Sequence, residues 1–166
     1  MRFYVPTKPD IGLISLGEGA AVVGRLNIAA DDYCFAEGCA NIAAGYASHV
    51  EGEHTQAGYT GHAEGYGTKA WGLSSHAEGE GSLAFGDFSH ASGYYTKAKG
   101  KASTAEGSGT TASGLQSHAE GGETKAEGAQ SHAEGGLTIA QKAWSHAGGR
   151  LTEARGEASF THGKAL

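Results

Sequence analysis

The sequence predicts an all-β solenoid of short coils, two strands per coil, with parallel pairing between coils. Three observations predict it. First, Gly24, Gly38, Gly52, Gly65, Gly79, Gly93, Gly107, Gly121, Gly135, Gly149 and Gly163 form a ladder with a fourteen-residue period, broken by one thirteen-residue step between Gly52 and Gly65. Second, each glycine closes a phrase whose clearest form is Ser75-His76-Ala77-Glu78-Gly79. Third, a second phrase of the type Thr124-Lys125-Ala126-Glu127-Gly128 follows, and both phrases alternate with the period of two that marks strands. A unit this short cannot bury a face alone, so it must stack on its neighbours.

Each element of the coil follows from its residues. Five residues suit a short strand, and the glycines at the end of each phrase suit tight turns. Parallel stacking at about 4.8 Å per layer turns eleven rungs into a rod of roughly 50 Å. Parity then assigns the faces. In the first phrase Ser, Ala and Gly share the inner side; in the second, Thr, Ala and Gly do. The alanine columns Ala63, Ala77, Ala91, Ala105, Ala119, Ala133, Ala147 and Ala57, Ala70, Ala84, Ala98, Ala112, Ala126, Ala140, Ala154 face each other across a thin core. The column Thr55, Thr68, Ser82, Thr96, Thr110, Thr124, Thr138, Thr152 lies on the same inner side, where its hydroxyls satisfy turn backbone groups. That parity argues against a displayed threonine ladder of the ice-binding kind.

Composition sets the limits. The chain has 166 residues, 29 glycines and only two prolines, too few large aliphatics for a thick globular core. Strict periodicity argues against disorder. A net charge of -6 without a basic run excludes phosphate-driven nucleic-acid binding as an expectation. No stretch approaches the apolar length of a membrane span, so no membrane insertion is expected. The opening residues carry no hydrophobic signal region. The expectation is export without a secretion signal, as by lysis, or a fragment of a longer fibre. Cys34 and Cys39 are too few for a disulfide framework and read as two small residues of the buried type.

The outward side of the first phrase is the informative one. It repeats a histidine column, His49, His62, His76, His90, His118, His132 and His146, interrupted at Thr104. Beside it runs a glutamate column, Glu37, Glu51, Glu64, Glu78, Glu106, Glu120 and Glu134, interrupted at Ser92. The outer side of the second phrase varies from coil to coil, as in Lys69/Trp71 and Leu83/Phe85, and reads as solvent-facing. A repeated outward face implies a repeated environment. Packing around a symmetry axis supplies one: each histidine then bonds a glutamate of a neighbouring chain, and Phe35 and Phe160 plug the axis at the column ends. Alternatively, symmetry-related histidine layers hold a metal, or an anion, on a threefold axis, with no layer favoured. No catalytic residue is assigned and no enzyme is expected, because active sites are singular whereas histidine and glutamate each recur seven times in these columns. Exposed aromatics suit sugar stacking, and Tyr66, Trp71, Phe85, Tyr94, Tyr95 and Trp144 are the candidate glycan contacts, with Tyr59 and Phe88 beside them.

The phrases Ser75-His76-Ala77-Glu78-Gly79 and Ala84-Phe85-Gly86 resemble the repeat of the head domains of trimeric autotransporter adhesins of the Yersinia type, over about residues 18–163. That family's phrase is Ser-Val-Ala-Ile-Gly followed by Ala-x-Gly. The arrays are also similar to those of phage and prophage tail-fibre-like proteins. The resemblance implies a left-handed parallel β-roll and a tight homotrimer with the second and fourth phrase positions at the trimer centre. This chain departs from the family by carrying His and Glu there instead of Val and Ile. Residues 1–17, with Pro6 and Pro9, are then a connector and residues 18–166 the β-roll of about eleven coils. The expected role is a structural and adhesive segment of a bacterial surface fibre or a virion tail fibre, meeting a cell-surface polysaccharide or protein receptor. The runner-up is a spacer rod without a receptor of its own.

Overall fold

A computed structural model describes residues 14–164. These residues form 22 strands and no helix, arranged as two eleven-stranded parallel sheets whose strands alternate along the chain. One sheet holds strands of five residues, such as His62–Tyr66 and His76–Glu80; the other holds strands of two, such as Lys69–Ala70 and Leu83–Ala84. Pairing is in register from coil to coil: His76 lies beside His90, Ala77 beside Ala91 and Ala84 beside Ala98. The fold is therefore a parallel β-solenoid of about eleven coils of about fourteen residues, as the ladder predicts.

The short sheet starts at Ile14–Ser15, which pairs with Ile28–Ala29, so it begins inside the expected 1–17 connector. The rest of that connector, including Pro6 and Pro9, lies outside the described residues.

The alanine columns form the core. Each of the fifteen alanines assigned to them is fully or almost fully buried, and Val50 and Ala36 continue the column toward the N-terminal end. The threonine column is buried as parity requires. Thr68, Thr124 and Thr138 donate to the carbonyls of Glu64, Glu120 and Glu134, the residues that lead into the turn. In the first coils asparagine takes over this job. Asn41 donates through Nδ2 to the Glu37 and Gly52 carbonyls and accepts the Thr55 amide on Oδ1 at 2.8 Å. The serine column is buried too, and Ser75 donates to the Gly72 carbonyl at 2.7 Å, closing the other turn. Cys34 fills that column and is buried, while Cys39 is only half-buried; both are free thiols.

Three features depart from the parity reading. The ladder glycine sits inside the long strand and does not share the inner side with serine and alanine: Gly79 is exposed. Its φ of 95° breaks the alternation after Glu78. A Cβ on Gly79 would lie 2.2 Å from the Gly93 carbonyl oxygen of the next coil. The same collision, at 2.0–2.2 Å, awaits every rung from Gly24 to Gly149. Second, the second phrase yields two strand residues, not five. The Ala98 carbonyl accepts both the Phe85 amide at 2.8 Å and the Gly86 amide at 3.3 Å, and that shared bond ends the ladder and starts the turn. Third, the thirteen-residue coil has lost one residue immediately after Ala57. Gly58 alone bonds the Ala70 carbonyl, where Trp71 and Gly72 share the Ala84 carbonyl one coil later.

Alanine at Gly79 must pay both the left-handed backbone strain and the carbonyl contact, so Gly79→Ala is expected to destabilise the chain by more than about 2 kcal/mol. Gly122 has open space around its Cα and no left-handed φ, so Gly122→Ala is the control and stays within about 0.5 kcal/mol of the parent. Thermal or urea unfolding followed by circular dichroism distinguishes the two; equal stabilities would contradict the stacking constraint.

Candidate functional site

The long sheet places the two repeated columns side by side. Histidine opens seven of the eleven long strands and glutamate follows two residues later in five of those seven, so strand alternation puts both on the outer surface. In-register pairing then stacks like on like. The imidazole of His62 lies 4.7 Å from both His49 and His76, with planes within 4° of parallel, and His118 and His132 stack at 4.9 Å. Thr104 splits the column into an upper stack ending at His90 and a lower stack starting at His118. Phe35 and Phe160 close the two ends, Phe35 edge-on to His49 at 5.1 Å and Phe160 tilted against His146 at 4.9 Å. Phe160 is 71% exposed in the single chain, so its burial as a plug rests on association.

Each imidazole aims its Nε2 at the glutamate column. His49 reaches Glu51 at 3.7 Å and His62 reaches Glu64 at 3.8 Å within one coil; His90 reaches Glu78 at 3.8 Å and His146 reaches Glu134 at 3.4 Å across coils. The sequence reading paired each histidine with a neighbouring chain; a single chain already brings the two columns within reach. Most of these distances exceed a hydrogen bond. The Nε2 atoms of His49, His62, His76, His90, His118 and His132 are shielded from solvent yet have no hydrogen-bond partner among the described residues. The side chains as a whole remain 29–40% exposed for histidine and 35–43% for glutamate. Glu37 stands one coil before Glu51, beside Phe35 in place of a histidine.

Electrostatics follow from this packing. Burial, reinforced by the neighbouring rings, lowers the imidazole pKa of His62, His76 and His132 below the ordinary value of 6.5. The glutamates divide. Ser92, standing where the column has lost a glutamate, donates to Glu78 Oε1 at 2.6 Å and lowers that carboxyl. Glu64 is raised, first by burial and then by the Glu78 and Glu51 carboxyls above and below it. Packing in the column thus favours the neutral imidazole at His62, His76 and His132. Three groups bring metal-type ligand atoms within 4.8 Å of one another: His62/Glu64/His76, Glu106/His118/Glu120 and Glu120/His132/Glu134.

The candidate glycan contacts are exposed, from 44% at Trp71 to 58% at Trp144, but the fold does not gather them. Tyr66, Tyr94 and Tyr95 lie at the turn after the long strands, with Tyr94 and Tyr95 edge to face at 4.6 Å. Trp71 and Phe85 follow the short strands, at the opposite turn. Trp144 is tied to Gln130, to which its Nε1 donates at 2.6 Å. Phe88 stands apart under Lys101 Nζ at 5.8 Å. One aromatic run escapes the sequence reading: Tyr33 meets Tyr46 edge to face at 5.6 Å, and Tyr46 stacks on Tyr59 at 5.5 Å. The signal of the stacked pair is the thirteen-residue spacing of Tyr46 and Tyr59 across the short coil; Tyr33 is equivalent to Ala47 and stands one residue out of that register.

The lowered histidines set a pH dependence. Above pH 6.5 the imidazoles are neutral whether folded or not; below it the unfolded chain takes up protons more readily than the fold does. Stability is therefore expected to hold at neutral and alkaline pH and to fall on acidification through 6.5. The raised Glu64 opposes this from above its ordinary value of 4.5, because the fold takes up that proton at a higher pH than the unfolded chain does. Melting temperatures measured between about pH 8 and pH 5 with a chelator present test it, and His62→Gln with His76→Gln should flatten the profile. A parent profile that is already flat would contradict neutral, partly buried imidazoles.

No protein-family model matches this sequence, and a search of curated proteins finds no match.

Proposed function

We propose that the chain is a structural and adhesive segment of a homotrimeric fibre, on a bacterial surface or a phage-like tail, in which the histidine–glutamate face lines the threefold axis. The observation that supports this most is the repeated polar face itself. Its Nε2 atoms are shielded and unpartnered while the side chains keep over a third of their surface in most coils. A face that is neither fully solvated nor satisfied gains by meeting copies of itself. The apolar Phe35 and Phe160 at its ends would be covered by the same association. The resemblance to Yersinia-type adhesin heads supplies the threefold symmetry and the left-handed β-roll. In this arrangement the two turn edges face outward, and Tyr66, Trp71, Phe85, Tyr94, Tyr95 and Trp144 meet a polysaccharide or protein receptor.

A second reading, a spacer rod with no receptor of its own, draws support from the division of those aromatics between opposite turns. A receptor patch gathers its anchors near one centre.

Native mass spectrometry and light scattering in chelator are expected to show three chains. Glu64→Lys with Glu120→Lys, which would bring three lysines together across the proposed axis in each of two layers, are expected to dissociate them. A parent that is monomeric at every concentration tested would overturn the trimer. A glycan array then separates the two roles: adhesion predicts binding that Trp71→Ala with Phe85→Ala, or Tyr94→Ala with Tyr95→Ala, abolishes, whereas the spacer predicts none.

A further inference from the structure

The lower part of the columns differs from the upper part. Thr104 removes the histidine from its coil, so Glu106 has no imidazole partner of its own and turns to His118 of the next coil, whose Nε2 lies 3.7 Å from Glu106 Oε2. The same Nε2 lies 3.9 Å from Glu120 Oε2. The other oxygen of Glu120 faces the next histidine, with Oε1 3.8 Å from His132 Nε2. Glu106, Glu120 and Glu134 stack in register on successive coils. In the upper stack Ser92 donates to Glu78, but none of Glu106, Glu120 or Glu134 receives a hydroxyl or amide donor among the described residues. Three like charges one strand spacing apart repel one another unless something positive lies between them.

The imidazoles of His118 and His132 form no hydrogen bond to these carboxylates. The His118 and His132 Nε2 atoms are shielded and lack hydrogen-bond partners. Their separations from the carboxylates are too long for hydrogen bonds. They lie near the ligand-to-ligand edge of a tetrahedral zinc site, about 3.4 Å for bonds of roughly 2.0–2.1 Å. The Glu106–His118 and His118–Glu120 edges exceed that by a few tenths of an ångström, all three ligand atoms lie within 4.8 Å of one another, and a water would complete the shell. Neutral imidazole with carboxylate is a donor set suited to zinc and its first-row neighbours.

We propose that Glu106, His118 and Glu120 bind a divalent transition-metal ion of the zinc class, and that His132 and Glu134, with the second oxygen of Glu120, form an adjoining half of the same site one coil on. All five side chains come from one chain. The site thus differs from histidine layers shared across a symmetry axis, and it exists whether or not the chains associate. The ion would bridge coils, cancel the stacked carboxylate charge and satisfy the orphaned nitrogens. As the columns are the face proposed to line a trimer, a bound ion would also fix that face before assembly.

Isothermal titration of Zn²⁺ into the full chain, stripped with chelator, tests the site. The expected result is saturable binding of one or two ions per chain, accompanied by a rise in melting temperature. Glu120→Gln, which touches both halves, is expected to weaken binding by at least about tenfold, since even outer-shell changes cost that much. His118→Ala should remove the first half alone, and His49→Ala should leave binding unchanged. Circular dichroism confirms that each variant folds. Unaltered binding in Glu120→Gln would overturn the site, as would a stoichiometry that simply follows the nine histidines of the chain. Native mass spectrometry on the same samples reports chain number separately, so failure of the metal site and failure of the trimer are read independently.

Discussion

Everything in this structure depends on one close approach. At each rung the glycine Cα faces the carbonyl of the next rung so closely that a Cβ would sit 2.0–2.2 Å from its oxygen. That contact sets how tightly one coil sits on another at this corner. It also needs a left-handed backbone in the middle of the long strand, with φ between 95° and 117° from Gly24 to Gly149. Only glycine meets both demands without strain. The departure from extended geometry turns the last strand residues toward the corner. The short strand can then return directly beneath the long one.

A coil folded this tightly leaves room for little between its sheets. Alanine fills that room, and each methyl contributes only about 1 kcal/mol on burial. Stability must then come largely from repetition: the backbone ladders, the buried hydroxyl and amide columns at the turns, and the stacking of identical side chains outside. The serine and threonine columns do different jobs although both are buried. Serine closes the turn that precedes the long strand, and threonine ties the turn that follows it. Where one of them is missing, a local substitute appears, asparagine at position 41 and cysteine at position 34.

The same repetition that builds the rod creates the tension on its surface. In-register parallel pairing places His on His and Glu on Glu. Stacking suits neutral rings and does not suit carboxylates. The chain relieves the upper glutamates at one point, by Ser92, and leaves the lower ones facing two imidazole nitrogens that form no hydrogen bonds. This surface is where association or a cation has most to offer, which makes the columns a stronger candidate for function than the aromatics. The aromatics occupy opposite turns, where single exposed rings are common.

The sequence by itself determined the solenoid, its period, the alanine core and the outward histidine and glutamate columns. Each follows from a fixed repeat and from strand alternation, which are local properties that survive without knowledge of contacts. It misplaced the ladder glycine because alternation assumes extended backbone, and a positive φ inside a strand violates that assumption. It overstated the second strand because strand length depends on which amides share the next coil's carbonyl, a contact fourteen residues away. It pointed to the turn after Ala57 for the short coil without saying what changes there, and it left the Tyr33–Tyr46–Tyr59 contacts unread, since these join side chains of successive coils. Only the tertiary structure decided that one chain brings its own histidines and glutamates within 3.4–3.9 Å of each other. The reason is geometric: a column's neighbours are set by the rise between coils, and that rise is fixed by a backbone contact that no local pattern encodes.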